Sequence, residues 1–155
     1  MRVVDKLQPD LGQIPISDIV IDPKSRDDIP KLLRGLQYIY CNPEVREQVF
    51  AVLTDIVPKD TDVSTGRPGM TLWRILVLGT LRTAIDADYD RLKELADHHM
   101  QIRQMMGIGT YEEAKFNLQT IKDNVRLLTP EMLEKINKIA VDSGHKLVKK
   151  KSMRR

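Results

Sequence analysis

Apolar residues recur at helical spacing along most of this chain, and the capping and breaking residues between the runs mark where each helix begins. The strongest run, Leu72, Trp73, Ile75, Leu76, Leu78, Leu81 and Ile85, follows Thr71, a good N-cap, and the chain-breaking Gly66-Arg67-Pro68-Gly69. It predicts a central buried helix from Thr71 to Ile85, in which Gly79 admits a close neighbour. Upstream, Asp28 with Pro30 opens a helix whose buried stripe is Leu32, Leu33, Leu36, Ile39 and Tyr40. Asn42-Pro43-Glu44 combines a capping side chain, a proline preset for the first turn and an acid at the positive end of the helix dipole. The helix it starts carries Val45, Val49, Phe50, Val52, Leu53 and Ile56 and ends at Val57-Pro58.

Downstream, Asp88 caps a helix to His98, with Tyr89, Leu92, Leu95 and Ala96 facing inward, and a short helix from Gln101 to Met106 stops at Gly107. From Phe116 to Leu128, an apolar stripe of Phe116, Ile121, Val125 and Leu128 opposes Gln119, Thr120, Lys122, Asp123, Asn124 and Arg126. Thr129-Pro130-Glu131 repeats the earlier start signal, and Met132, Leu133, Ile136, Ile139 and Ala140 carry a last helix to Ser143-Gly144. Only the first stretch departs from this period. Pro9, Pro15, Pro23 and the β-rich Ile19-Val20-Ile21 predict an extended arm over residues 1–24, lying on the core. The expected fold is all-α: a compact bundle of six to seven short helices over residues 25–144 with a helix-turn-helix-like element. The polar loop at 58–69 is not a domain boundary, since neither flank could build a core alone.

Composition narrows the setting. At 155 residues the chain can bury one core without staples, and its single cysteine, Cys41, excludes an intrachain disulfide. The N-terminus MRVVDKLQPD lacks a signal-peptide apolar run, and no stretch reaches the roughly 18 apolar residues of a membrane span, so the expected location is cytoplasmic. The net charge of +3 is unevenly spread: residues 145–155 hold Lys146, Lys149, Lys150, Lys151, Arg154 and Arg155 and no acid, a block of +6, which leaves −3 on residues 1–144. That composition predicts a disordered basic tail attracted to anionic surfaces such as nucleic acid.

Four segments together carry a family resemblance: Gly66-Arg67-Pro68 before the leucine-rich helix, Asp88-Tyr89-Asp90-Arg91-Leu92, Met105-Met106-Gly107, and Leu118-Gln119-Thr120-Ile121-Lys122-Asp123-Asn124-Val125. With Leu127-Leu128-Thr129-Pro130-Glu131 and Gly144-His145-Lys146-Leu147-Val148, they make the chain resemble the N-terminal region of bacterial insertion-sequence transposases, of the ISNCY group and its InsH-like relatives. The resemblance implies an all-helical region that recognises the transposon's terminal inverted repeats in double-stranded DNA. In that family a ribonuclease-H-like domain with an Asp-Asp-Glu triad and two metal ions follows, and nothing after Val148 corresponds to it. No catalysis, metal or other cofactor is therefore expected of this chain.

The segment Phe116 to Leu128 is the candidate recognition helix. Gln119 and Asn124 are suited to adenine edges, Lys122 and Arg126 to guanine or phosphate, and Thr120 to either a base or the backbone. Arg67, Arg74 and Arg103, with Arg82 and Arg91, are candidate phosphate anchors, joined by Lys149, Lys150 and Lys151 of the tail. A plainer reading competes, because residues 67–126 hold nine basic and eight acidic side chains and Asp123 opposes phosphate. The other function class is a helical interaction module: a homodimer, or a truncated inhibitor pairing with a full-length transposase, through apolar surface left open on the Thr71–Ile85 helix. Asp97-His98-His99 is not expected to hold a metal, since adjacent histidines on a helix point about 100° apart. Cys41 and Met100, Met105, Met106 and Met132 read as core filler, and Trp73 as buried against the N-terminal arm.

Overall fold

The computed structural model describes residues 15–21, 28–56, 70–109 and 115–153, the stretch 145–153 as helix backbone only. The described residues form an all-α bundle: α1 (Asp28–Cys41), α2 (Pro43–Leu53), α3 (Leu72–Ala84), α4 (Tyr89–His98), α5 (Met100–Met105), α6 (Leu118–Val125) and α7 (Pro130–Met153). Two 3-10 turns, Ile16–Asp18 and Thr54–Ile56, complete it. No helix among the described residues is long and apolar enough to cross a membrane.

The capping residues legible in the sequence are used. Asn42 accepts from the Val45 amide, Thr71 from Arg74, Asp88 from Arg91 and Thr129 from Met132, each satisfying a donor that the helix itself leaves orphaned. α6 begins two residues later than its apolar stripe suggests, because the Asn117 side chain takes the amides of Gln119 and Thr120. Between α3 and α4 the chain reverses at Asp86, a residue type that tolerates its positive φ of 50°.

α3 is the central strut, packed against α1, α2, α4 and α6. Leu72, Trp73, Leu81 and every residue from Ile75 to Gly79 are buried, while Ala84 at its end is exposed and Ile85 half-buried. Trp73 is buried among Tyr40 and Phe50, with ring centroids 4.8 and 6.2 Å away, and its indole N–H donates to the Met105 carbonyl at 2.7 Å. Of the methionines read as filler, Met105 and Met106 are buried, but Met100 is 68% exposed. Cys41, at the end of α1, is also exposed rather than a core residue.

In the N-terminal arm, Ile16 and Ile19 are buried, and Gln37 of α1 donates its side-chain amide to the Ile16 and Ile19 carbonyls at 2.8 and 3.1 Å. Residues 1–14 and 22–24 of that arm lie outside the described residues. At the other end, α7 packs on α2, and the Tyr38 hydroxyl of α1 hydrogen-bonds Ser143 across 105 positions of chain. α7 does not stop at Ser143-Gly144, and the backbone of residues 145–153, expected to be a disordered tail, is helical. A glycine ends a helix when it takes the left-handed conformation: Gly107 does so, with φ 77°, whereas Gly144 keeps helical backbone.

Two glycines make a contrasting pair. A Cβ on Gly79 would lie 2.5 Å from Leu128 Cδ2, whereas one on Gly35 meets nothing within 4 Å. Gly35→Ala is expected to stabilise the protein by about 0.5–1 kcal/mol through helix propensity. Gly79→Ala is expected to cost about 1–2 kcal/mol, because displacing the buried Leu128 outweighs the same gain. Urea denaturation of the two variants checks both signs.

Candidate nucleic-acid interface

α6 is eight residues long, Leu118–Val125, and packs against α4 and α3 through Ile121 and Val125. At 100° per residue, Gln119, Lys122 and Arg126, spaced i, i+3 and i+7, fall along one ridge of the helix and the turn that follows it. All three are exposed. Neither Lys122 nor Arg126 makes an ion pair among the described residues, where the one ion pair joins Lys93 to Asp97. Gln119 is less free, since its amide donates to Asp123 at 2.8 Å on the next turn.

The other two expected readers differ. Asn124 is only 5% exposed, and its side-chain amide donates to the Thr120 carbonyl at 2.7 Å. An adenine contact needs both edges of that amide in a groove, so Asn124 is withdrawn as a base reader: it lies on the flank of the Ile121–Val125 stripe and turns inward. Thr120 is half-buried, with its carbonyl engaged by Asn124. Positions 106–117, of which 110–114 lie outside the described residues, separate α5 from α6, whereas a helix-turn-helix joins its helices by three to four residues. The tighter link lies on the far side, where Arg126–Thr129 connects α6 to α7.

The arginines assigned to phosphate mostly serve the fold. Arg74 is half-buried and donates Nε to the Met106 carbonyl at 3.0 Å, closing the C-terminus of α5. Arg103, also half-buried, donates to the Ala96 and Asp97 carbonyls at 2.9 and 3.3 Å and so caps the C-terminus of α4. In both, a guanidinium nitrogen serves carbonyls at a helix end, a structural role beside the phosphate-anchor role expected from the sequence. Arg82 stacks over Tyr89 at 4.6 Å. Arg67 lies outside the described residues, and Lys149, Lys150 and Lys151 fall on the last turns of α7.

What holds α6 in place is a carboxylate noticed in the sequence only as a metal-ligand question. Asp97, in the last turn of α4, is 5% exposed; its Oδ1 accepts the Phe116 amide at 2.7 Å and its Oδ2 pairs with Lys93. Lys115 donates to the Asp97 carbonyl at 3.1 Å. Burial raises this carboxyl, but the hydrogen bonds from Lys93 and the Phe116 amide and the charges of Lys93 and Lys115 outweigh it, holding the group below its usual value. A carboxylate at the negative end of a helix dipole is unfavourable without such partners, and that position was the available sequence signal for a structural role. Its neighbour His99 caps α5, with Nδ1 accepting the Ile102 amide at 3.3 Å, and burial lowers the imidazole's affinity for a proton.

No protein-family model, curated protein or solved structure matches this chain.

Proposed function

We propose that this chain binds double-stranded DNA chiefly through the phosphate backbone, as a helical module of the kind that contacts the ends of insertion sequences, and contributes no catalytic step. The observation that carries the reading is the exposed ridge of Gln119, Lys122 and Arg126, whose two cations have no acidic partner among the described residues. Both are long side chains on an element pinned to α4 through Asp97 and the Phe116 amide, so they can meet phosphates without reorganising the bundle. With Asn124 inward and Gln119 held by Asp123, the ridge offers little base discrimination; phosphate contacts position a protein and base contacts specify sequence. The basic block on the last turns of α7 adds affinity of the same sequence-independent kind. The resemblance to insertion-sequence transposases suggests terminal inverted repeats as the DNA; the cytoplasm is the location expected from the sequence.

Fluorescence anisotropy against a duplex carrying the inverted repeats of a related element tests this reading. Affinity should fall steeply with salt, and the double variant Lys122→Ala/Arg126→Ala should flatten the log–log salt dependence by about 2, one for each lost phosphate contact. Both side chains are exposed, so helical circular dichroism should not change. Binding that the double variant retains at every salt concentration removes α6 from the interface.

A further inference from the structure

We infer that Asp123 fixes the side-chain amide of Gln119 so that α6 reads one adenine in the major groove, beside the phosphates it contacts. The inference rests on the nucleic-acid reading and adds a single base contact to it. Gln119 stands exposed in the first turn of α6, on the ridge it shares with Lys122 and Arg126. Its backbone is fixed there, because the Asn117 side chain accepts its amide and that of Thr120 at 2.9 and 3.3 Å. A recognition helix reads bases from its N-terminal residues. Asn124, the other side chain suited to adenine, turns inward, which leaves Gln119 as the reader.

One hydrogen bond decides which way the Gln119 amide faces. Nε2 donates to Asp123 Oδ1 at 2.8 Å, one turn along the helix. An ionised carboxylate only accepts, so the opposite orientation, with Oε1 toward Asp123, would set oxygen against oxygen. Of the two N–H bonds of the amide, one is spent on Asp123; the other, together with Oε1, is left for a partner. That donor and acceptor match adenine, which offers N7 as acceptor and its N6 amino group as donor on the major-groove edge. Guanine offers two acceptors on the same edge, so one of them would face Oε1, and the amide cannot turn to suit it without giving up Asp123. The Asp123 charge, unfavourable near phosphate by itself, is offset by Lys122 and Arg126 on the adjoining ridge. Asp123 is thus a positioning residue that acts through Gln119.

Selection of bound duplexes from a library randomised over one helical turn tests this role, with base preference read alongside salt dependence. The full chain should favour adenine over any other base at one position by about tenfold or more. Gln119→Ala should lose that preference and keep the salt dependence, since it removes no phosphate contact. Asp123→Ala should lose most of the preference, whereas Asp123→Asn, whose side-chain oxygen still accepts from Gln119, should retain it. Both variants remove the same charge, so a purely electrostatic role for Asp123 would make them alike. Binding with no preferred base at any position overturns the inference and leaves the phosphate contacts standing, while binding to no duplex at low salt overturns both. Full preference in Asp123→Ala, or equal loss in Asp123→Asn and Asp123→Ala, overturns the role of Asp123.

Discussion

Trp73→Ala should remove about 4 kcal/mol of stability, a large share of what a domain of this size possesses. The indole is 1% exposed and sits where three elements meet: Tyr40 of α1 and Phe50 of α2 pack on its rings, and its N–H closes the Met105 carbonyl at the end of α5. Truncation opens a cavity that the rigid α3 backbone cannot collapse and leaves a buried carbonyl without a donor. Trp73→Phe separates the two terms: it keeps most of the ring volume and loses the hydrogen bond, for an expected cost of about 2 kcal/mol. Because Trp73 is the chain's one tryptophan, the wild-type transition can be followed by its own emission and the variants by circular dichroism in urea. A Trp73→Ala variant within about 1 kcal/mol of wild type would mean that this junction is not packed as described.

The second large effect lies at the joint of α4, α5 and the start of α6. Asp97→Ala should cost about 3 kcal/mol, since it strands the Phe116 amide and leaves Lys93 without its partner, while Asp97→Asn, which can still accept from the amide, should cost less. The same joint dictates how stability responds to acid. His99 binds a proton less readily folded than unfolded, so its contribution is complete above the ordinary histidine value of about 6.5 and is lost as pH falls below it. Protonation at Nδ1 removes the acceptor for the Ile102 amide and uncaps α5. Asp97 is also held below its ordinary value, so its contribution is present above about pH 3.9 and lost as pH drops further. Thermal melts should therefore decline in two stages. His99→Asn, which keeps a capping acceptor that does not titrate, should abolish the upper stage, and Asp97→Asn should abolish the lower. A melting temperature flat between pH 7 and 5 would contradict the assignment to His99.

Helix starts were legible because they are local: Asn42-Pro43-Glu44, Thr71, Asp88 and Thr129-Pro130-Glu131 announce caps within four residues, and the packing agrees with them. α3 was legible because its apolar run leaves almost no polar face. Side-chain destinations at helix ends were less so. Arg74 and Arg103 have the composition of phosphate ligands, yet each lies within reach of carbonyls from an element distant in sequence or too short to define a face, and α5 has only six residues. Asn124 could have been placed, since it adjoins Val125 and follows Ile121 by three positions, at the margin of the buried stripe. The continuation of α7 past Gly144 could not, because a glycine alone does not say whether the backbone will turn left-handed.

The reach of α7 back to α1 and α2 bears on how the bundle assembles. A contact such as Tyr38 with Ser143 closes a loop of 105 positions, and closure of that size forms late because the chain entropy is surrendered before the contact repays it. During synthesis the face of α2 that α7 covers stays open until α7 has emerged, so the nascent protein passes through an interval in which a chaperone, or another unfinished copy, competes for that face.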